Sequence, residues 1–360
     1  MTAPPTRAPG RDGVRDAVEA ALHRFLEDKE EADPQARLHG FTGLLRAMLA
    51  AGGKRLRPVL CCAGWQAAGG GDPAPAVPAA ASLELFHMFA LIHDDVMDRS
   101  DTRRGRPTAR RVLAARAATL PAVRDAGEAT RFGDSGAVLL GDLAMVWSDE
   151  LLHSGTLAPA RLRAARPVLE AMRSEVMYGQ YLDLFTSKDP DAGLESALTV
   201  VRYKTAKYTV ERPLQLGAAL AGGDRRILEA CSAYGLPLGE AFQLRDDVLD
   251  VFGDPARTGK SRLGDLREGK LTALLATALL RAGPGQGRTL RTLVGDPELD
   301  EEGAAAVRRV FRETGALEAV EHMITKRYRR AVRSLDSAPF PPSAKATLRE
   351  LATAATARSA

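Results

Sequence analysis

Residues 82–98 read SLELFHMFALIHDDVMD, an apolar stretch that runs straight into Asp94, Asp95 and Asp98. On a helix, Asp94 and Asp98 lie four residues apart on nearly one face, where like charges weaken the helix. Helix propensity therefore does not account for them. The pattern recurs in LRDDVLDVFGD at 244–254, which carries Asp246, Asp247 and Asp250 behind the apolar YGLPLGEAFQL of 234–244. Both clusters are predicted to sit at the ends of core-packed helices rather than on a solvated face.

Carboxylates gathered beside an apolar interior suit hard, oxygen-seeking cations. Mg²⁺ usually takes only one or two of them and completes its shell with water and substrate phosphate. The six aspartates are thus candidate magnesium ligands, positioned to clamp a diphosphate. One such motif could be a solvated helix end; two with the same apolar lead-in argue against that.

The composition is that of an ordinary globular chain able to bury a core: 360 residues, 45% apolar, 27% charged and a formal net charge of +4. Short basic runs such as TRRGRPTARR lie beside acidic motifs without interleaved aromatics, so nucleic-acid binding is not expected. Cys61, Cys62 and Cys231 are an odd set with no disulfide or zinc spacing and read as reduced, buried thiols. MTAPPTRAPGRDG offers no apolar segment for a signal peptide, and the apolar run LTALLATALL is about half a bilayer span. A soluble, cytoplasmic protein without a transmembrane segment is expected.

Residues 1–12, rich in proline, glycine and threonine, are predicted to be disordered, with one domain over 13–360. From Val14 onward Val18, Ala21, Leu22 and Phe25 recur at helical spacing. The same period returns in 41–50, 82–98, 136–152, 160–186, 194–220, 225–252, 270–281, 303–334 and 343–356. Turn residues predict breaks at 69–78, 253–260, 283–287 and 337–343. No alternating strand stands out, so the fold class is all-α.

A cationic complement is visible. GGKRLRP at 52–58 frees the backbone and supplies Lys54, Arg55 and Arg57 as donors to an anion. Arg103 and Arg104 follow the first acidic cluster closely. Nine of the 50 basic residues are lysines, and five of the nine (Lys54, Lys204, Lys207, Lys260 and Lys270) lie in short polar segments. His87 lies seven residues before Asp94, two turns away on much the same face, and is a candidate anion contact. His93 reads as structural.

Taken in order, GGKRLRP, LIHDDVMDRSDTRRGRPT, GQYLDL, YKTAKYT, FQLRDDVLDVFGD and GDLREGK resemble the trans-isoprenyl diphosphate (polyprenyl) synthases over nearly the whole chain. The resemblance implies a helical bundle around a deep central cavity, usually a homodimer, that elongates prenyl chains head to tail from isopentenyl diphosphate. The allylic partner would be dimethylallyl, geranyl or farnesyl diphosphate. It implies that Asp94, Asp98 and Asp246 hold Mg²⁺. Arg103, Lys204, Thr205, Gln243 and Lys260 would grip the allylic diphosphate, and Lys54, Arg57, His87 and Arg104 the isopentenyl diphosphate. Gln180 and Asp183 would line the cavity near the metals, and Lys270 belongs to the same substrate-binding set. Two features depart from the family: SRLGDLREGK has only Asp265 where Gly-Asp-Asp is common, and the tail ATARSA is not basic.

Product length is expected to depend on Phe89 and Ala90, five and four residues before Asp94, and on Phe86 a turn further down. In the family, one aromatic at the fifth position with an uninterrupted DDxxD accompanies geranylgeranyl diphosphate; aromatics at both positions accompany farnesyl diphosphate. This chain has the first pattern. A terpene cyclase would need neither the second aspartate motif nor GGKRLRP, and a non-catalytic subunit would be expected to have lost acids from a cluster.

Overall fold

The computed structural model describes residues 11–32, 40–103, 105–189, 192–254 and 262–356. The fold is all-α. Its elements in chain order are α1 (Arg11–Ala32), α2 (Phe41–Ala50), α3 (Leu56–Ala67), a 3₁₀ turn (Ala74–Ala76) and α4 (Val77–Met97). A two-residue hairpin follows, β1 (Thr102–Arg103) and β2 (Arg106–Pro107), then α5 (Ala109–Ala117), α6 (Ala126–His153), α7 (Pro159–Thr186) and α8 (Leu194–Val200). Beyond α8 come a π-helix (Val201–Glu211), α9 (Arg212–Leu220), α10 (Arg225–Phe252), α11 (Gly264–Glu268), α12 (Ala273–Arg281), α13 (Pro284–Leu293), α14 (Glu301–Glu313), α15 (Ala316–Ser337) and α16 (Pro342–Thr356).

The contacts divide the chain into two compact units, Met1–Ala164 with Gly217–Gly222, and Ala165–Leu216 with Gly223–Ala360. In the first, α4 is the central helix and packs on α1, α3, α5 and α6. Leu83, Leu85, Phe86 and Ile92 are at most 1% exposed, and each such side chain contributes roughly 1.5–3 kcal/mol on burial. By length and composition Ala74–Met97 could cross a membrane, yet most of its apolar stretch is buried in the protein. In the second unit α10 takes the central place against α15 and the π-helix. Ala241, Leu244 and Val248 join Leu274, Val307, Phe311 and Val320 in its core.

Several expectations are corrected. Arg11 and Asp12 already belong to α1, with Asp12 complementing the dipole of the first turn; residues 1–10 lie outside the described residues. The GPGQG segment at 283–287 starts a helix: Gly283 is the N-cap, Pro284 occupies the first turn and Gln286 Oε1 accepts from the Gly283 N–H at 3.1 Å. The window 303–334 is broken at Gly315, whose φ of 66° suits glycine. The helix α3 escapes periodicity because it is buried nearly all round, Cys61, Cys62 and Trp65 included. Arg110 masks α5: it is 7% exposed, and its Nε donates to Asp134 at 2.6 Å. All three cysteines are free and buried, as expected.

Arg55 also departs from its expected role as an anion donor. Its Nε donates to Glu19 (2.7 Å), its Nη1 to Glu84 (2.7 Å) and its Nη2 to the Leu49 carbonyl (2.7 Å). Arg55 and Glu84 are each 3% exposed. Burial opposes the guanidinium charge, but the bonds and charges of Glu19 and Glu84 outweigh it and raise the pKa. The ties also hold the Arg55 backbone at φ 47°, a left-handed conformation that non-glycine residues rarely adopt. Arg55→Leu leaves Glu84 buried without its counter-ion, so a loss of about 3–5 kcal/mol in unfolding free energy is expected from urea denaturation followed by circular dichroism.

Candidate active site

The two aspartate motifs close the central helices of their units, and each divides its acids in the same way. Asp94 and Asp98 are half-buried on the face of α4 that also bears His87 and Ala90, whereas Asp95 is 1% exposed. On α10, Asp246 and Asp250 are half-buried while Asp247 is 5% exposed. In both motifs the outer acids are half-buried and the middle one turns inward.

Each inward acid has a partner from the chain. Arg103 Nε donates to Asp95 Oδ1 at 2.7 Å and its Nη2 to Asp94 Oδ2 at 3.0 Å. The hairpin makes this possible: Arg103 pairs with Arg106 across a turn in which Gly105 takes φ 72°, so the guanidinium returns to the end of α4. Arg103, which the resemblance assigns to the allylic diphosphate, is thus also a counter-ion of the cluster. Burial raises the Asp95 carboxyl to about 6 despite Arg103. Arg103 is itself half-buried, but Asp95 and Asp94 more than offset the cost of its partial desolvation and raise its pKa. On α10, Gln243 Nε2 donates to Asp247 Oδ1 at 2.7 Å, and burial carries the Asp247 carboxyl well above the usual range.

The residue set fits a hard divalent cation. Asp94, Asp98, Asp246 and Asp250 present carboxylate oxygens at half-buried helix ends, the donor type a hard cation takes. Among the described residues no three His, Cys, Asp or Glu side chains converge as a metal-binding group. Any ion here would draw part of its shell from water or phosphate, as Mg²⁺ commonly does.

Lys204 and Thr205 lie in the π-helix, which periodicity alone could not separate from its α-helical neighbours. Such wide turns are rare and often mark functional positions. Lys204 Nζ donates to Asp183 Oδ2 at 2.6 Å, and Thr205 Oγ1 to Gln243 Oε1 at 2.8 Å. Thr205, Gln243 and Asp247 thereby form one chain of hydrogen bonds. Lys207 instead meets Glu175 at 2.7 Å, where Arg212 also binds. Burial opposes the Glu175 charge, but Arg212 and Lys207 outweigh it and lower the pKa.

Two glycines that the sequence reading passed over set this geometry. A Cβ on Gly179 of α7 would stand 2.3 Å from the Lys204 backbone nitrogen, and one on Gly239 of α10 2.6 Å from the Ala206 Cα. Their signal was there to find, since glycine inside a helix costs about 1 kcal/mol against alanine and calls for a reason.

The remaining candidates are placed less tightly. Lys54 is exposed and Arg57 and Gln180 are half-buried. Lys270 Nζ lies 2.6 Å from Glu268 Oε2. Phe86 is 1% and Phe89 9% exposed, their ring centroids 5.2 Å apart, while Ala90 keeps to the open face. Arg104 and Lys260 lie outside the described residues.

An all-α fold with an Asp-Asp-x-x-Asp motif at the end of the central helix of each unit belongs to the isoprenoid-synthase class. Residues 40–312 match the polyprenyl synthetase family, and the chain belongs to that family; it is a prenyltransferase. It is 33% identical over 278 residues to the geranylfarnesyl diphosphate synthase of Aeropyrum pernix, covering 76% of this chain and 80% of that one. With the geranylgeranyl diphosphate synthase of Methanosarcina mazei it shares 32% over 306 residues, 85% of this chain and 84% of the relative. A crystal structure of geranylgeranyl pyrophosphate synthase from Corynebacterium glutamicum, complexed with isoprenyl diphosphate and magnesium, superposes with a TM-score of 0.91 at 40% identity, covering 98% of this chain and all of that one.

The close approach at Gly179 can be checked directly. Gly179→Ala places a methyl group against backbone that cannot swing aside. Thermal unfolding is expected to show a loss of about 1–3 kcal/mol, together with a raised KM for the allylic diphosphate as Lys204 shifts.

Proposed function

We propose that the chain condenses isopentenyl diphosphate with an allylic diphosphate (dimethylallyl, geranyl or farnesyl diphosphate) and that its main product is geranylgeranyl diphosphate. The observation that carries the reading is the shared division of labour in the two motifs. Asp94, Asp98, Asp246 and Asp250 are half-buried at the helix ends and are assigned to magnesium, while Asp95 and Asp247 are buried and held by Arg103 and Gln243. Magnesium, when bound, would neutralise charge that gathers on the departing diphosphate.

The chain's own residues support the rest of the chemistry. Arg103, Lys204 and Thr205 are assigned by resemblance to the allylic diphosphate, as donors of the kind that favour a developing anion. Lys54, Arg57 and His87 are assigned to isopentenyl diphosphate, with Arg104, Lys260 and Lys270 completing the cationic set by resemblance. The apolar wall of α4 below Asp94 keeps water from an allylic cation. Ala90, small and on the open face, leaves room beneath the aspartates, and Phe89 behind it limits elongation.

The chain is further proposed to act as a homodimer in the cytoplasm. Phe132, Leu139 and Val146, spaced seven apart on α6, are 49%, 62% and 51% exposed, an apolar stripe suited to a second copy.

Three measurements test these assignments. With labelled isopentenyl diphosphate, Mg²⁺ and each allylic primer, a twenty-carbon product is expected; a dominant fifteen-carbon product would sink the length assignment. Asp94→Ala is expected to lower kcat by about 10²–10³ while leaving the fold intact. Leu139→Asp is expected to convert the dimer to a monomer in sedimentation velocity, and a parent that already sediments as a monomer would refute the stripe's role.

A further inference from the structure

His93 is the one histidine beside the first motif to which neither the sequence nor the proposed reaction gives a part. It is seven residues beyond Phe86 and four beyond Phe89, so the three rings follow one another along α4. The Phe86 and Phe89 centroids are 5.2 Å apart, and those of Phe89 and His93 only 4.7 Å apart in an edge-on arrangement. Phe89 is therefore held between two rings.

The far side of the His93 ring is fixed by α6. Its Nε2 lies 3.1 Å from the Val138 carbonyl oxygen and 3.5 Å from Asp142 Oδ1. The ring rests on Gly141, where an added Cβ would stand 2.3 Å from Cδ2 and 2.4 Å from Nε2. Glycine in the middle of a 28-residue helix is costly, and the niche it opens is filled by this ring.

We propose that His93, seated on Gly141, is a positioning residue that sets product length by holding the Phe89 ring in place. Specificity is then not confined to the two positions before Asp94. It extends through a ring contact to a backbone carbonyl and a glycine on α6. This inference rests on the reading of Phe89 as the residue that limits elongation.

The mechanism is steric. An aromatic ring blocks a growing chain only if its torsions cannot yield, and Phe89 is confined by contact on both sides. Removal of the His93 ring gives Phe89 a new direction in which to rotate, and the prenyl tail gains length there. A methyl group on Gly141 evicts the same ring from its niche and acts on Phe89 by the same route. The two changes share one contact, so their effects are not additive.

The test is the product-length distribution from labelled isopentenyl diphosphate and Mg²⁺, read with kcat, KM for the primer and thermal stability. The variants are His93→Ala, His93→Phe, Gly141→Ala, the His93→Ala/Gly141→Ala pair and Phe89→Ala. His93→Ala is expected to lengthen the main product by at least one isoprene unit. His93→Phe, which keeps a ring against Phe89 without the Nε2 contact, should restore the parent length. Gly141→Ala should lengthen the product and lower the melting temperature, and the double variant should melt higher than Gly141→Ala with no further lengthening. If Phe89→Ala lengthens the product while His93→Ala changes only rate or stability, the inference is overturned and the role of Phe89 stands. If Phe89→Ala leaves the length unchanged, the reading beneath the inference falls.

Discussion

Two like charges one turn apart weaken a helix, and this chain carries that arrangement twice. The cost is a few tenths of a kcal/mol per pair in an isolated helix, whereas each large side chain buried on α4 or α10 contributes about ten times as much. Only helices anchored by a core can hold such motifs open. That constraint explains why the motifs end the central helix of each unit, and why α4 is apolar enough to resemble a membrane span.

The same constraint organises the polar groups around the motifs. Three adjacent carboxylates cannot all face a single substrate without heavy repulsion, so each motif turns its middle acid inward. Arg103 returns over a hairpin to hold Asp95, and Gln243 links Asp247 to Thr205. The hidden acid is tied to its neighbours at the helix end, and the outer acids stay half-buried.

Close backbone packing governs the cationic side. The π-helix brings Lys204 and Thr205 to Asp183 and Gln243 because Gly179 and Gly239 let α7 and α10 approach it without side chains between. Lys207, one turn beyond Lys204, belongs to a different circuit with Glu175 and Arg212. Two lysines in one short motif therefore meet different acids, Lys204 at Asp183 and Lys207 at Glu175.

Much of this was legible in the residues. Apolar periodicity marked most of the helices, the repeated Asp-Asp-x-x-Asp announced the chemistry, and six motifs in order placed the chain in its family. Helices without a polar stripe, such as α3, were hidden because full burial erases the period. A helix start was hidden in GPGQG because glycine and proline serve a first turn as well as a loop.

By itself the sequence determined the fold class and the family, since these depend on local pattern and side-chain chemistry. Tertiary structure alone decided which acid of each motif faces inward, that Arg55 braces a buried glutamate, that Arg103 meets Asp94 and Asp95, and that His93 rests on Gly141. Those choices are made by partners distant in the chain or by the fold of an intervening turn. A hydrogen bond of 2.7 Å or a ring on a glycine exists only once the backbone has brought the groups together.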